Sequence, residues 1–199
     1  MRQPEMITEE KIFSAATEVF AEKGMTGARM QDIADRAGIN KSLLHYYYRS
    51  KDKLFKAVFD KLAETMFLKF ASILGREIPF EEKIAYFFSE HISFLQKNPN
   101  LPLFIITEVA RDPGLLKKFI SSVNIQAIGK TLKPDLNPGI TETEITHLMV
   151  TVVSMSVFPV LARPVVEAIL EQQGIDYDTF LEERKVYSPH FVAEAIRKD

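Results

Sequence analysis

Apolar residues recur at helical spacing along almost the whole chain, and glycine or proline stands at nearly every point where the spacing breaks. That pattern leaves little room for a sheet. No segment alternates cleanly between apolar and polar residues, and there is no Asn-Gly or Asp-Gly hairpin turn. An all-α fold is expected. Thr8 is placed to cap a first helix, with Glu9 and Glu10 in its first turn, where the helix dipole favours negative charge. Ile12, Phe13, Ala16, Val19 and Phe20 form one apolar face, and Gly24 supplies the stop. A short second helix carries Met30, Ile33, Ala34 and Ala37 and closes at Gly38. A third begins near Asn40 and turns Leu44, Tyr47 and Tyr48 inward. Ser50 caps a long fourth helix that ends at Gly75.

Proline punctuates the remainder. Pro79 opens a fifth helix to about Asn98. Pro99 and Pro102 bracket the start of a sixth, which ends near Asp112-Pro113-Gly114, and Leu115 to Leu132 reads as a seventh. Lys133 to Ile140 is a loop. Thr141 starts an eighth helix, with Glu144 three residues on to complete a capping box. Pro159 and Pro164 should kink or divide it. Gly174 precedes a final helix, Tyr177 to Lys198, with Pro189 as a point where it could break. The longest uncharged stretch, Leu148 to Ala162, has 15 residues. A membrane span needs about 20 apolar residues, so this stretch is expected to be a helix buried nearly all round, inside the protein or at a subunit contact. The first ten residues hold no apolar run of a signal peptide. A cytoplasmic protein with no membrane partner is expected.

Chemistry is bounded by what is missing. There is no cysteine, which excludes disulfides, thiolate zinc sites and a thiol nucleophile. His45, His91, His147 and His190 are scattered without metal-ligand spacing, and no GxSxG, HExxH, Walker or GxGxxG signature occurs. No enzyme activity, metal or cofactor is expected. Charge is uneven: residues 24–53 carry +3 within a chain of net charge −2, so the rest is at −5. A cationic module on an acidic body suits an anionic polymer, because Lys and Arg displace counterions from phosphates.

The informative run is Ile33-Ala34-Asp35-Arg36-Ala37-Gly38-Ile39-Asn40-Lys41-Ser42-Leu43-Leu44-His45-Tyr46-Tyr47-Tyr48. Small Ala34 lets the next helix approach, Gly38 makes the sharp turn, and Ile39 plugs the corner. In such a helix-turn-helix the first residues of the second helix enter the major groove.

This pattern, within the first 55 residues, resembles the TetR family of bacterial transcriptional regulators. The resemblance implies a three-helix DNA-binding domain at residues 1–52 and a regulatory and dimerisation domain of about six helices at residues 53–199. It implies a homodimer that represses by binding a palindromic operator in double-stranded DNA, released by a small apolar or amphipathic effector in the helical body. Carried over by position, Gly38-Ile39-Asn40 is the turn. Lys41, Ser42 and Leu43 stand where family members touch base edges, Lys41 as a donor to guanine and Leu43 against a thymine methyl. His45, Tyr46 and Tyr47 stand at phosphate-holding positions. Lys51 stands where the family has a lysine that reaches phosphate beside the N–H groups of its helix start. Arg29 replaces the usual Ser or Thr, which supplies charge to a phosphate but not a cap. His45 replaces a common Tyr and Tyr48 a common Phe.

In the body, the residues expected around a ligand cavity are Met66, Phe70, Phe87, His91, Phe94, Phe104, Phe119 and Met155, with His91 as the polar group among phenylalanines. Glu108 and Arg111 are spaced to pair locally. The family resemblance puts dimerisation on the last two long helices. Two recognition helices must then sit about 34–36 Å apart, and the fourth helix, Lys51 to Leu74, is the expected lever between effector and DNA. A constitutive or architectural DNA-binding protein without a ligand is the competing reading, and a helical enzyme a more distant one.

Overall fold

The computed structural model describes residues 3–74, 76–112, 114, 117, 125–136 and 139–196; within these, the side chains of 3–7, 63–71, 74, 125–127 and 135 lie outside the description. The helices are α1 (Gln3–Gly27), α2 (Met30–Ala37), α3 (Lys41–Tyr47), α4 (Lys51–Leu74), α5 (Phe80–Lys97), α6 (Leu101–Arg111), α7 (Ile125–Leu132), α8 (Glu142–Leu161), α9 (Arg163–Glu171) and α10 (Tyr177–Ile196). A 3-10 turn, Lys133–Asp135, follows α7, and no strand occurs among the described residues. Two compact units form: residues 1–66 with 103–122, and residues 67–102 with 123–199. The sequence division at residue 52 separates a binding module by its motif, whereas these units are defined by packing.

In the first unit, α1 begins at Gln3 rather than at a Thr8 cap, with Pro4 in its first turn. A proline costs nothing there, because its missing N–H would have had no helical partner. Gly24 does break the helix. Its φ of 66° and ψ of 173° strain any residue with a Cβ, and only a short turn follows to Gly27. Ile12, Ala16, Val19 and Phe20 are fully buried, as are Ile33, Ala34, Leu44, Leu54 and Val58. Phe20 meets Phe55 edge-on at 5.2 Å, and Phe55 meets Phe104 of α6 at 5.7 Å. Phe104, expected near a ligand cavity, packs in this unit's core.

In the second unit, α5 turns Phe80, Ile84, Phe87, Phe88, Ile92 and Leu95 inward and packs on α8 and α10. The Thr141–Glu144 capping box is formed. Glu144 N–H donates to Thr141 Oγ1 at 3.2 Å, and Thr141 N–H donates to Glu144 Oε2 at 2.8 Å. Of the expected seventh helix, Ile125–Leu132 is observed, and residues 115, 116 and 118–124 lie outside the described set. Pro159 does not divide α8. The break falls at Ala162, with Pro164 in the first turn of α9. Having no N–H, Pro159 leaves the Met155 carbonyl without its helical donor. Arg184 of α10 supplies one, its Nη2 donating at 2.8 Å. Likewise α10 runs through Pro189.

Replacing Arg184 by Met orphans that carbonyl and is expected to cost about 1–3 kcal/mol, read as a lower urea midpoint. Adding Pro159→Ala restores an N–H in place and should recover most of the loss. Equal costs of Arg184→Met in both backgrounds would refute this account of the proline.

Within a single chain, Leu148–Ala162 is not buried nearly all round, which leaves the subunit contact as the alternative for its outer face. By length and composition α8 passes the test for a membrane span, at mean hydropathy 1.6, yet only 28% of its most apolar window is buried. Val150 and Phe158 are 61% and 56% exposed. Helical periodicity cannot separate a core helix from one whose outer face meets another chain.

Candidate nucleic-acid interface

The turn between α2 and α3 is built from local hydrogen bonds. Gly38 sits at φ 67° and ψ 32°, a left-handed conformation that glycine adopts without strain. Its N–H donates to Asp35 C=O at 3.1 Å, and Ile39 N–H donates to Ala34 C=O at 3.0 Å. Asn40 then caps α3, its Oδ1 accepting from Leu43 N–H at 2.7 Å. At the far end Ser50 caps α4 through Lys53 N–H at 3.3 Å.

With α3 so fixed, Leu44 is fully buried, while Lys41, Ser42, His45 and Tyr46 are exposed and Leu43 and Tyr47 half-buried. Tyr46 is 80% exposed and stands edge-on to Tyr47 at 5.6 Å. His45 Nδ1 lies 3.4 Å from the Arg49 carbonyl. Tyr48 is half-buried, and burial together with nearby Glu9 pushes its phenol above the usual range. Arg29 stands exposed at the N-cap of α2 with no side-chain cap bond, as its position suggested.

Charge is distributed selectively. Arg36 grips Glu22 with two bonds of 2.6 and 3.0 Å, and its guanidinium holds that carboxyl below the usual range. Lys23 pairs with Asp32 at 2.6 Å and does the same there. Among the described residues, Arg29, Lys41, Arg49 and Lys53 are in no salt bridge. Arg29 nonetheless lies near enough to Asp32 to help hold that carboxyl below the usual range. Lys51 differs. It is half-buried, and its Nζ donates to Ala28 C=O at 3.0 Å and Thr26 C=O at 3.3 Å. Nothing in the spacing of a helix-start lysine signals backbone partners.

The residues expected around a ligand cavity are described only in part. The side chains of Met66 and Phe70, and Phe119 altogether, lie outside the described residues. Phe87 packs on Phe88 at 5.6 Å and on His91 at 5.0 Å. His91 Nδ1 lies 2.8 Å from Ser156 Oγ, and burial pulls its pKa down to about 4. Phe94 is partly buried against the same core. Of the described ones, Met155 alone lines a groove of about 450 Å³, between Leu148 and Thr151 of α8 and Phe191 and Ile196 of α10. Sequence reasoning did not anticipate that groove. No cluster of potential metal ligands occurs among the described residues.

Residues 12–58 match a family model described as bacterial regulatory proteins, tetR family. An HTH-type transcriptional repressor of Streptomyces coelicolor is 45% identical over 60 residues, which is 30% of this chain and 31% of that protein. The match thus spans about a third of that relative's length. Two solved structures share the fold. A transcriptional regulator of Streptomyces coelicolor, SCO4942, has a TM-score of 0.69 at 18% identity, covering 96% of this chain and 99% of its own. The regulator FadR of Bacillus subtilis, in complex with stearoyl-CoA, has a TM-score of 0.62 at 16% identity, covering 89% and 95%. The helix-turn-helix segment, residues 12–58, thus matches the tetR family of bacterial regulatory proteins, and the fold over nearly the full length is the one these solved regulators share.

Proposed function

We propose that the protein is a homodimeric transcriptional repressor of the cytoplasm that binds a palindromic operator in duplex DNA and is released by an amphipathic effector. One observation carries the reading. Lys41, Ser42 and Tyr46 project from α3 into solvent, free of intramolecular carboxylates, while Leu44 of the same helix anchors it in the core. A short helix presented in this way fits the major groove. Lys41, Ser42 and Leu43 face base edges. Arg29, His45, Tyr46 and Tyr47 hold phosphates on either side. Asn40 sets the helix start and keeps its amide N–H groups for a phosphate.

A second copy of the chain covers the apolar surface of α8 and α10, where Val150, Val153, Tyr187 and Phe191 are exposed. Contiguous apolar surface on helices of this length is a mark of association. Dimerisation sets two copies of α3 at the spacing of successive major grooves. For the effector, a long acyl chain on a charged head is the class to test first, since FadR, which shares the fold, is found with stearoyl-CoA.

The direct experiment selects duplexes from a random pool, then measures anisotropy between 50 and 200 mM salt, with and without stearoyl-CoA. Lys41→Ala is expected to relax preference at one base pair by about 1–3 kcal/mol. Arg29→Ala should weaken all duplexes alike and lower the salt slope by about one. A wild-type protein that ignores every duplex at low ionic strength would end the proposal.

A further inference from the structure

The chain passes between its two units inside α4, inside α6 and at residues 122–123. Within the first unit, α4 and α6 each send one charged side chain to the same short segment, the bend Gly24–Ala28 between α1 and α2. From α6 comes Glu108, only 3% exposed. Its Oε1 accepts from Met25 N–H at 2.9 Å, and its Oε2 accepts from Arg111 at 2.7 and 2.9 Å. From α4 comes Lys51, whose Nζ donates to the Ala28 and Thr26 carbonyls. One helix holds the bend by an N–H, the other by its carbonyls. Arg29 and α2 follow at once.

The bend departs from helical dihedrals at Gly24, and the Met25 N–H that follows is taken up by the Glu108 carboxylate. A nearby Ser or Asp would serve that N–H more cheaply than a buried carboxylate from 83 residues away. We infer that Glu108 and Lys51 are positioning residues that fix the angle at which α2 and α3 are carried, so that a displacement of α4 or α6 reaches the recognition helix through this bend. Hydrogen bonds weaken steeply with distance and angle, which makes the bend responsive to small shifts of either helix. Arg111, half-exposed, steadies Glu108 from outside. This inference rests on the reading of the chain as a duplex-binding regulator.

The test uses the full-length protein and the duplex that wild type selects. Glu108→Ala, Glu108→Gln, Arg111→Ala and Lys51→Met are compared for duplex affinity across salt and for hydrogen exchange at the Met25 amide. Glu108→Ala and Lys51→Met should each bind about ten-fold more weakly, because the binding-competent fraction falls by that factor. Neither should alter the salt slope, since neither side chain meets phosphate. Glu108→Ala should also speed exchange at Met25. Glu108→Gln keeps an acceptor oxygen and should recover most of both. A slope reduced by about 0.9 in Lys51→Met assigns Lys51 to phosphate and overturns its part. Wild-type affinity in Glu108→Ala, with Met25 deprotected, overturns the coupling. Should Glu108→Ala not fold, Arg111→Ala decides on the same two readouts. Failure of wild type to bind any duplex overturns the functional reading and this inference with it, whereas variants equal to a binding wild type sink the inference alone.

Discussion

Glutamate at both Val153 and Phe191 is expected to make the protein monomeric and to weaken its hold on a two-fold duplex by about 10²–10⁴-fold. Both side chains already face solvent, at 45% and 62% exposure, so charging them should leave the fold and its thermal midpoint almost unchanged. The cost falls on association. Two carboxylates on each chain would be buried without partners where the second copy packs. A monomer still owns one recognition helix, but it loses the gain of holding the second half-site at high effective concentration. The variant should therefore bind a single half-site duplex as wild type does and fail only on the palindrome. Sedimentation and anisotropy read both effects. A double variant that remains a dimer would remove α8 and α10 from the interface.

The parts of this molecule that could be read from sequence are those fixed within a few residues. Gly38 and Ile39 make the turn, Asn40 and Ser50 cap their helices, and Thr141 with Glu144 forms its box, because each bond spans no more than five positions. Contacts between distant segments escaped. Pro159 reads as a helix breaker until Arg184, 29 positions beyond Met155, supplies the missing donor. Glu108 and Arg111 read as a local pair, and they are one, but the other carboxylate oxygen reaches Met25. Lys51 shows the same limit. Its position at a helix start was legible, but the direction of its flexible stem was not. Phe104 was correctly apolar, yet periodicity says that a residue is buried and not which neighbours bury it.

Acidification should destabilise the second unit through His91. His91 Nδ1 lies 2.8 Å from Ser156 Oγ, a hydroxyl that is also 2.9 Å from the Val153 carbonyl. The imidazole packs against Phe87, and it is neutral at pH 7 because burial holds its pKa at about 4 rather than 6.5. In the unfolded chain the ring regains its ordinary affinity for protons. Between pH 6.5 and 4 the unfolded state binds the proton and the folded state does not, so stability falls as pH falls through that window. The loss through this one group should approach about 3 kcal/mol near pH 4; below that the folded form also protonates and the loss stops growing. His91→Gln keeps a hydrogen-bonding group toward Ser156 but cannot titrate. Carboxylates titrate in both proteins and cancel in the difference. Urea unfolding from pH 7.5 to 4.5 should show wild type losing stability faster than the variant, with the gap opening below pH 6.5. Parallel curves across the whole range would mean that the His91 ring is protonated in the folded protein after all.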